Sequence, residues 1–265
     1  MSLLRVRVYN GYSLMKEIVI KNKAAIDKMR TAGKLLARIV EEVRECVIPG
    51  VNTLEIDTFV EKRMRASGLK PECKGYAGYR HATCISVNDV VVHGIPSKEI
   101  ILKSGDFVKI DIVGSYKGYC ADLARYFFVG EVNPIAKRMA AVAQRALDLG
   151  INEVAPGKHL SDVSAIIQHV VEKEGFGVVR TFAGHGIGKG IHEHPDVPNY
   201  GKPGQGPILR VGMTIAIEPM ITEKNYDVQI MEDGWTAKTV DGGLAAHVED
   251  TIVVTKDGAE ILTRL

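Results

Sequence analysis

The chain has 265 residues, 46% of them hydrophobic and 25% charged, with a formal net charge of +2. That composition supports a folded core, and the near-balance of charge gives no electrostatic reason to expect a specific nucleic-acid site or a membrane surface. No apolar run approaches the ~18–20 residues of a membrane span, and the N-terminal LLRVRVY is too short and too charged for a signal peptide. A cytoplasmic protein is therefore the expectation.

Residues 1–14 precede a second methionine, Met15, that opens KEIVIKNKAAIDKMR; they read as an N-terminal extension or an expression scar, with one catalytic domain over 15–265. A helical pattern then runs through Ile26, Met29, Leu35, Leu36, Ile39 and Val43. Pro49-Gly50 opens a second amphipathic stretch ending at Gly68, with apolar Leu54, Ile56, Phe59, Val60 and Met64 at helical spacing and Asn52 or Thr53 placed to cap it. Next comes CKGYAGYRHATC, whose glycines let the chain bend. The four cysteines, Cys46, Cys73, Cys84 and Cys120, show no CxxC spacing and read as reduced thiols.

The second half repeats this order. A long pattern through Met139, Val142, Ala146, Leu147 and Ile151 precedes Pro156-Gly157, and a stretch with Val163, Ile166, Ile167, Val170 and Val171 ends at Gly175, with Ser161 placed to cap it. At the same constant offset, LKSGDFVKID ending at Asp111 lines up with LRVGMTIAIE ending at Glu218. Several matches in one order point to an internal duplication, with halves of about 22–130 and 133–263 and helices packed on strands in each. A duplicated unit of this kind places its site on the pseudo-two-fold axis.

The residues that carry chemistry are acids inside apolar strand patterns. Asp111 lies in VKIDIV, Asp122 in GYCADLARYFFV after the Gly118 turn, Glu218 in TIAIEPMI and Glu249 in AAHVEDTIVV. One such acid alone is best explained by a capped turn or an ion pair, but four are not, because buried carboxylates repel unless a cation joins them. His185 sits between glycines in AGHGIGKG, as suits a ligand on a tight turn. That string lacks the four-residue gap and the Ser or Thr of a phosphate loop. His192-Glu193-His194 lacks the HExxH spacing, and Pro195 favours a loop. An oxygen-rich set with one imidazole suits Co, Mn, Fe, Zn or Ni. Four carboxylates exceed the need of one ion, and two divalent ions about 3.5–4 Å apart would use them all.

Taken in order, VNDVVVHGIP, IDIVGSYKGYCADLARYFFVG, AGHGIGKGIHEHP, IAIEPM and HVEDTIVVT resemble the successive signatures of the methionine aminopeptidases. The resemblance runs from about Ile18 to Leu262. It implies an α+β pita-bread fold, two pseudo-symmetric halves of helices packed on a curved antiparallel sheet. It also implies a dinuclear site of Asp111, Asp122, His185, Glu218 and Glu249, with His93 and His192 touching substrate and Glu218 moving the proton when a metal-bridging hydroxide attacks the first peptide bond. Cys73, Tyr76, Tyr79, Cys84 and Trp235 are implied as the pocket for the first side chain; without that context the aromatic trio reads as ordinary core. The implied partners are the N-terminal methionine of nascent polypeptides and, transiently, the ribosome, with the chain itself a monomer.

Proline-type aminopeptidases share the implied fold but carry a separate N-terminal domain, for which this chain has no room. A non-catalytic binding module on the same fold is the other alternative, and such a module is expected to have lost ligands. The longer class of methionine aminopeptidases carries a helical insert that the segment between Glu218 and Glu249 is too short to hold, so the resemblance is to the shorter class, type 1. Three positions depart from the pattern. Ile191 stands where a larger aromatic is often seen, and Lys109 and Ala245 stand where polar residues sometimes help hold a monovalent ion.

Overall fold

The structure, a computed structural model, describes residues 17–265; the proposed 1–14 extension lies outside them. The first half contributes α1 (Lys23–Val43), α2 (Thr53–Ala66), β1 (Lys70–Pro71), β2 (Thr83–Val87), β3 (Val90–Val92), β4 (Phe107–Tyr116) and β5 (Tyr119–Phe128). The second begins with α3 (Pro134–Glu153), α4 (Leu160–Lys173), β6 (Gly177–Val178), β7 (Ala183–Gly186) and β8 (Glu193–Pro198). It continues with β9 (Thr214–Ile217), β10 (Met220–Thr222), β11 (Val228–Ile230), β12 (Ala237–Thr239), β13 (Ala245–His247), β14 (Glu249–Thr255) and β15 (Gly258–Ile261). Among the described residues the main sheet is antiparallel and runs β1-β4-β5-β14-β9-β7-β8, with β2 on β4 and β15 on β14.

Period-two alternation explains how each strand divides its residues between faces. Val108, Ile110 and Ile112 of β4 and Ala121, Leu123 and Phe127 of β5 pack under Leu36, Val40 and Val43 of α1 and Ile56, Val60 and Met64 of α2. Ile215 and Ile217 of β9 and Ile252 and Val254 of β14 pack with Met139, Ala143 and Leu147 of α3 and Val163 and Ile167 of α4. Each fully buried leucine or isoleucine contributes about 1.5–3 kcal/mol, so the helices are held by their apolar stripes. The opposite face is left for the acids.

The duplication is present in backbone detail. Both α2 and α4 are 14 residues long. Gly50 N–H donates to Leu102 O at 2.8 Å and Gly157 N–H to Leu209 O at 3.0 Å. Antiparallel bridges join Asn52 to Ile101 and His159 to Ile208. The caps differ from expectation in one copy. Asn52 accepts from Glu55 N–H at 3.0 Å as anticipated, but α4 is capped by His159, whose own N–H donates to Asp162 Oδ2 at 2.9 Å. Ser161 lies inside the helix, and its hydroxyl instead accepts from Gln205 N–H at 2.6 Å. The bridge to Ile208 fixes where the backbone enters the helix, two residues earlier than a cap at Ser161 requires.

Candidate metal centre

Three strand pairings bring the acids together. Asp111 is the register partner of Ala124, and Ala124 is the partner of Glu249, so β4, β5 and β14 place these three on one face. Asp122 lies two residues from Ala124 on β5 and shares that face. Farther along, His185 pairs with Ala216, and Ala216 with Thr251, two residues from Glu249. Glu218 follows two residues after Ala216, just past the end of β9. Ala124 and Ala216 are fully buried and small, which leaves the space above them to the longer side chains.

His185 Nδ1–H donates to Gly186 O at 3.0 Å. That bond leaves the Nε2 lone pair aimed at the acids, 3.7 Å from Asp122 Oδ2 and 3.6 Å from Glu218 Oε1. His247 Nε2 lies 3.5 Å from Glu218 Oε2. Two groups, Asp122–His185–Glu249 and Glu218–His247–Glu249, hold their donor atoms within 4.8 Å of one another and share Glu249.

The electrostatics call for a cation. Burial raises the Asp111 carboxyl to about 6, with Glu218 adding to the rise. Burial, with repulsion from Asp111, pushes Asp122 well above the ordinary carboxylate range, and burial, with repulsion from Asp122, does the same to Glu249. Asp122 Oδ1 and Glu249 Oε1 are buried and accept no hydrogen bond from the described residues. A divalent ion satisfies both deficits, because it supplies the missing partner and removes the repulsion. The oxygen-rich donor set with an imidazole fits such an ion.

The acids form the floor of a cavity whose wall includes every residue expected at the site: His93, His185, His192, Cys73, Tyr76, Tyr79, Cys84, Trp235 and the four carboxylates. At its apolar end Tyr79, Cys84 and Trp235 are buried with Phe182, Met220 and Val92, and the Tyr79 and Trp235 rings meet edge-on at 4.9 Å. Tyr79 donates to Thr83 O at 2.9 Å, so its polar tip is satisfied inside the wall. Gly75, Ala77 and Gly78 all take positive φ around Tyr76, and that tight turn swings the half-exposed Tyr76 ring across the cavity mouth.

The His192 ring packs edge-on at 4.4 Å from that of His185, and its Nδ1 is 2.8 Å from Tyr76 Oη. The loop carrying it is anchored from behind, where the buried Lys21 ammonium donates to Glu193 Oε2 at 2.6 Å and Gly190 N–H donates to Glu193 Oε1 at 3.1 Å. His93 takes φ 59 and sets its ring edge-on to Phe182 at 5.4 Å. Burial holds His93 down to about 4, so it is a neutral imidazole near neutral pH. Sequence reasoning did not single out His247, Asp196, Phe182 or Met220. His247 had one available signal, an ionisable residue two positions before Glu249 in an otherwise apolar run.

The sequence model of metallopeptidase family M24 matches residues 27–256. Methionine aminopeptidase A of Synechocystis sp. is 44% identical, over 93% of this chain and 97% of the relative. The chain belongs to metallopeptidase family M24. Among solved structures, a methionine aminopeptidase from Thermotoga maritima is 46% identical with a TM-score of 0.92, covering 94% of this chain and all of that one. The prolidase from Pyrococcus furiosus, 23% identical, matches at a TM-score of 0.75 over 93% of this chain and 65% of its own, and shows the shared fold alone. The architecture is thus the pita-bread fold that the resemblance implied.

Proposed function

We propose that this M24 chain removes the N-terminal methionine from peptides and nascent proteins, as one catalytic domain over 15–265 acting as a monomer in the cytoplasm. The observation that supports this reading above others is the union of a four-carboxylate cage with an apolar, sulfur- and aromatic-lined cavity. Asp111, Asp122, His185, Glu218 and Glu249 are the proposed holders of two divalent ions, with His247 beside Glu218 as a further donor. Such ions, when bound, supply Lewis acidity and bring the acidity of water toward neutral pH.

The chain's own groups do the rest. Glu218, its carboxylate among the donor atoms, takes the proton of the attacking water and passes it to the leaving amine. His192, oriented through Nδ1 by Tyr76, presents Nε2 to the scissile amide. Neutral His93 hydrogen-bonds the same amide from the Phe182 side. Cys73, Tyr79, Cys84 and Trp235 receive an unbranched thioether, with S–aromatic contacts worth about 0.3–1.5 kcal/mol each. Tyr76 and the floor together leave room for a small second residue.

The test is a panel of peptides varying the first two residues, assayed with added Co, Mn, Fe, Zn or Ni. Release of methionine ahead of other residues, with Gly, Ala or Ser preferred second, is expected. Equal cleavage of N-terminal Met, Leu and Lys, or a requirement for proline second, overturns the reading. Transient docking on the ribosome is part of the proposal and is checked by cosedimentation with translating ribosomes.

A further inference from the structure

Lys109 lies two residues before Asp111 on β4 and shares its face, and it is one of the largest fully buried side chains of the protein. Its Nζ donates to Asn88 O at 2.8 Å and lies 5.1 Å from the centre of the Phe107 ring. The same carbonyl accepts from Ala245 N–H at 3.0 Å. Asn88 is held so that this oxygen points inward. Its φ is 52, its Nδ2 donates to Asp106 Oδ1 at 2.8 Å, and its Oδ1 accepts from Phe107 N–H at 2.9 Å.

Three segments therefore converge on one carbonyl: the β2–β3 turn, β4 and β13. The first two belong to one half and β13 to the other, and β13 leads through His247 directly into Glu249. Burying a lysine costs free energy that burying an aliphatic residue does not, and burial here pulls the Lys109 amino group down to about 7, so packing alone does not account for a lysine at this position. Lys109 and Ala245, the two positions that depart from the pattern for a monovalent ion, meet at this single oxygen. The Lys109 Nζ already occupies the inward side of that oxygen, with the Phe107 ring against it, so an additional monovalent cation has no place there.

We propose that Lys109 is a positioning residue whose Nζ takes the place of a monovalent cation, clamping β4 to β13 through the Asn88 carbonyl. The clamp sets Asp111 and Glu249 at the separation that metal loading needs, and it frees this chain from any requirement for potassium or sodium. The inference rests on the reading of Asp111 and Glu249 as metal ligands.

The experiment is titration of metal-free protein with Mn(II) by calorimetry, together with methionine release, in three salts at equal ionic strength. Tetramethylammonium chloride at ~0.1 M gives the same Debye screening as potassium or ammonium chloride but is too large for the site. Wild type is expected to bind Mn(II) with one Kd in all three. Lys109→Ala is expected to lose about 10–100-fold in affinity in tetramethylammonium, the range typical of groups that orient metal ligands. Potassium or ammonium should restore most of that loss by entering the vacated space. Lys109→Met, which fills the space without charge, should show the loss and no rescue.

Wild-type affinity in a folded Lys109→Ala, a loss that no small cation repairs, or a wild type that itself needs potassium overturns the proposal. Should Lys109→Ala fail to fold, Lys109→Met carries the comparison, and wild-type affinity there also overturns it. If wild type binds no Mn(II) and releases no methionine, the underlying metal reading has failed instead.

Discussion

Asp111, Asp122 and Glu249 illustrate how a site can oppose the fold that holds it. Their carboxyls are raised by burial and mutual repulsion. A raised folded-state pKa contributes stability that is fully present below the unfolded pKa and lost as pH rises through the folded one. For Asp111 that window runs from 3.8 to about 6. The metal-free protein is therefore expected to lose thermal stability across this range and above it. Glu249→Gln, which keeps the shape and removes the charge, should raise the metal-free Tm at pH ~7.5 by about 3–6 °C, and the gain should fade at pH ~4. A scan of Tm against pH checks this, and a lower Tm for Glu249→Gln at high pH contradicts it.

A second prediction at this scale concerns His192. His192→Ala should lower kcat about 100-fold while metal content stays at the wild-type value. Tyr76→Phe, which removes only the hydroxyl at Nδ1, should lower kcat about 10-fold and leave KM for methionyl peptides within about 2-fold. Stoichiometric loss of metal from His192→Ala would make it a ligand instead.

The carboxylates stood out in the sequence because an acid within an apolar strand run is costly wherever it is buried. His247 did not, since its meaning depends on Glu218, which β10 and the β9–β10 turn bring alongside it. Ser161 misled as a cap for a similar reason, because the long-range bridge at His159 decides where α4 begins.

Between strands, the decisive residues are the small ones. Ala124 separates Asp111 from Glu249 in register, and Ala216 lies between His185 and Thr251. Ala124→Val pushes two added methyl groups into the space beneath the cage. Overpacking of this kind costs about 1–3 kcal/mol, which a domain of this size tolerates, whereas metal-ligand distances must hold to within about 0.2 Å. Ala124→Val should therefore remain folded by circular dichroism yet weaken Mn(II) binding at least 10-fold. Equal affinity for wild type and variant would show that the alanine is incidental. The strand patterns around the acids were legible from their apolar runs, and so was the β4–β5 hairpin, from the Gly118 turn. The pairing of β5 with β14 was not, because nothing local to Tyr119–Phe128 specifies a partner so far along the chain.

Across the whole molecule, Asp250 ties the halves together directly behind Glu249. It is fully buried, and its Oδ1 accepts from Arg125 at 2.6 Å and from the Thr263 hydroxyl at 2.7 Å. Its Oδ2 accepts from Arg264 Nε at 2.7 Å, and Arg264 also donates to Asp148 of α3 at 2.6 Å. The C-terminal residues thus strap β5, β14 and α3 into one unit. Asp250→Ala leaves two guanidinium groups without their buried partner and should cost about 3–5 kcal/mol. Arg264→Ala, at the exposed end of the strap, should cost about 1–2 kcal/mol. Urea unfolding of the metal-free protein measures both, and a larger loss in Arg264→Ala than in Asp250→Ala would place the strap's strength elsewhere.

By itself the sequence determined the four long helices, the strand patterns around the four acids, the duplicated plan and the identity of the acids and of His185. These follow from local periodicity and from the energetic cost of burying charge, which each segment carries wherever it folds. It did not determine that His185 and Glu193-His194 lie on strands β7 and β8 rather than on a turn and a loop. Only the tertiary structure decided which acids share a face, that His247 joins Glu218, that Tyr76 bonds to His192 across the cavity mouth and that Lys109 and Ala245 meet at one carbonyl. Those contacts join residues far apart in the chain, and their existence depends on how the two halves pack as a whole, a free energy that no single segment contains.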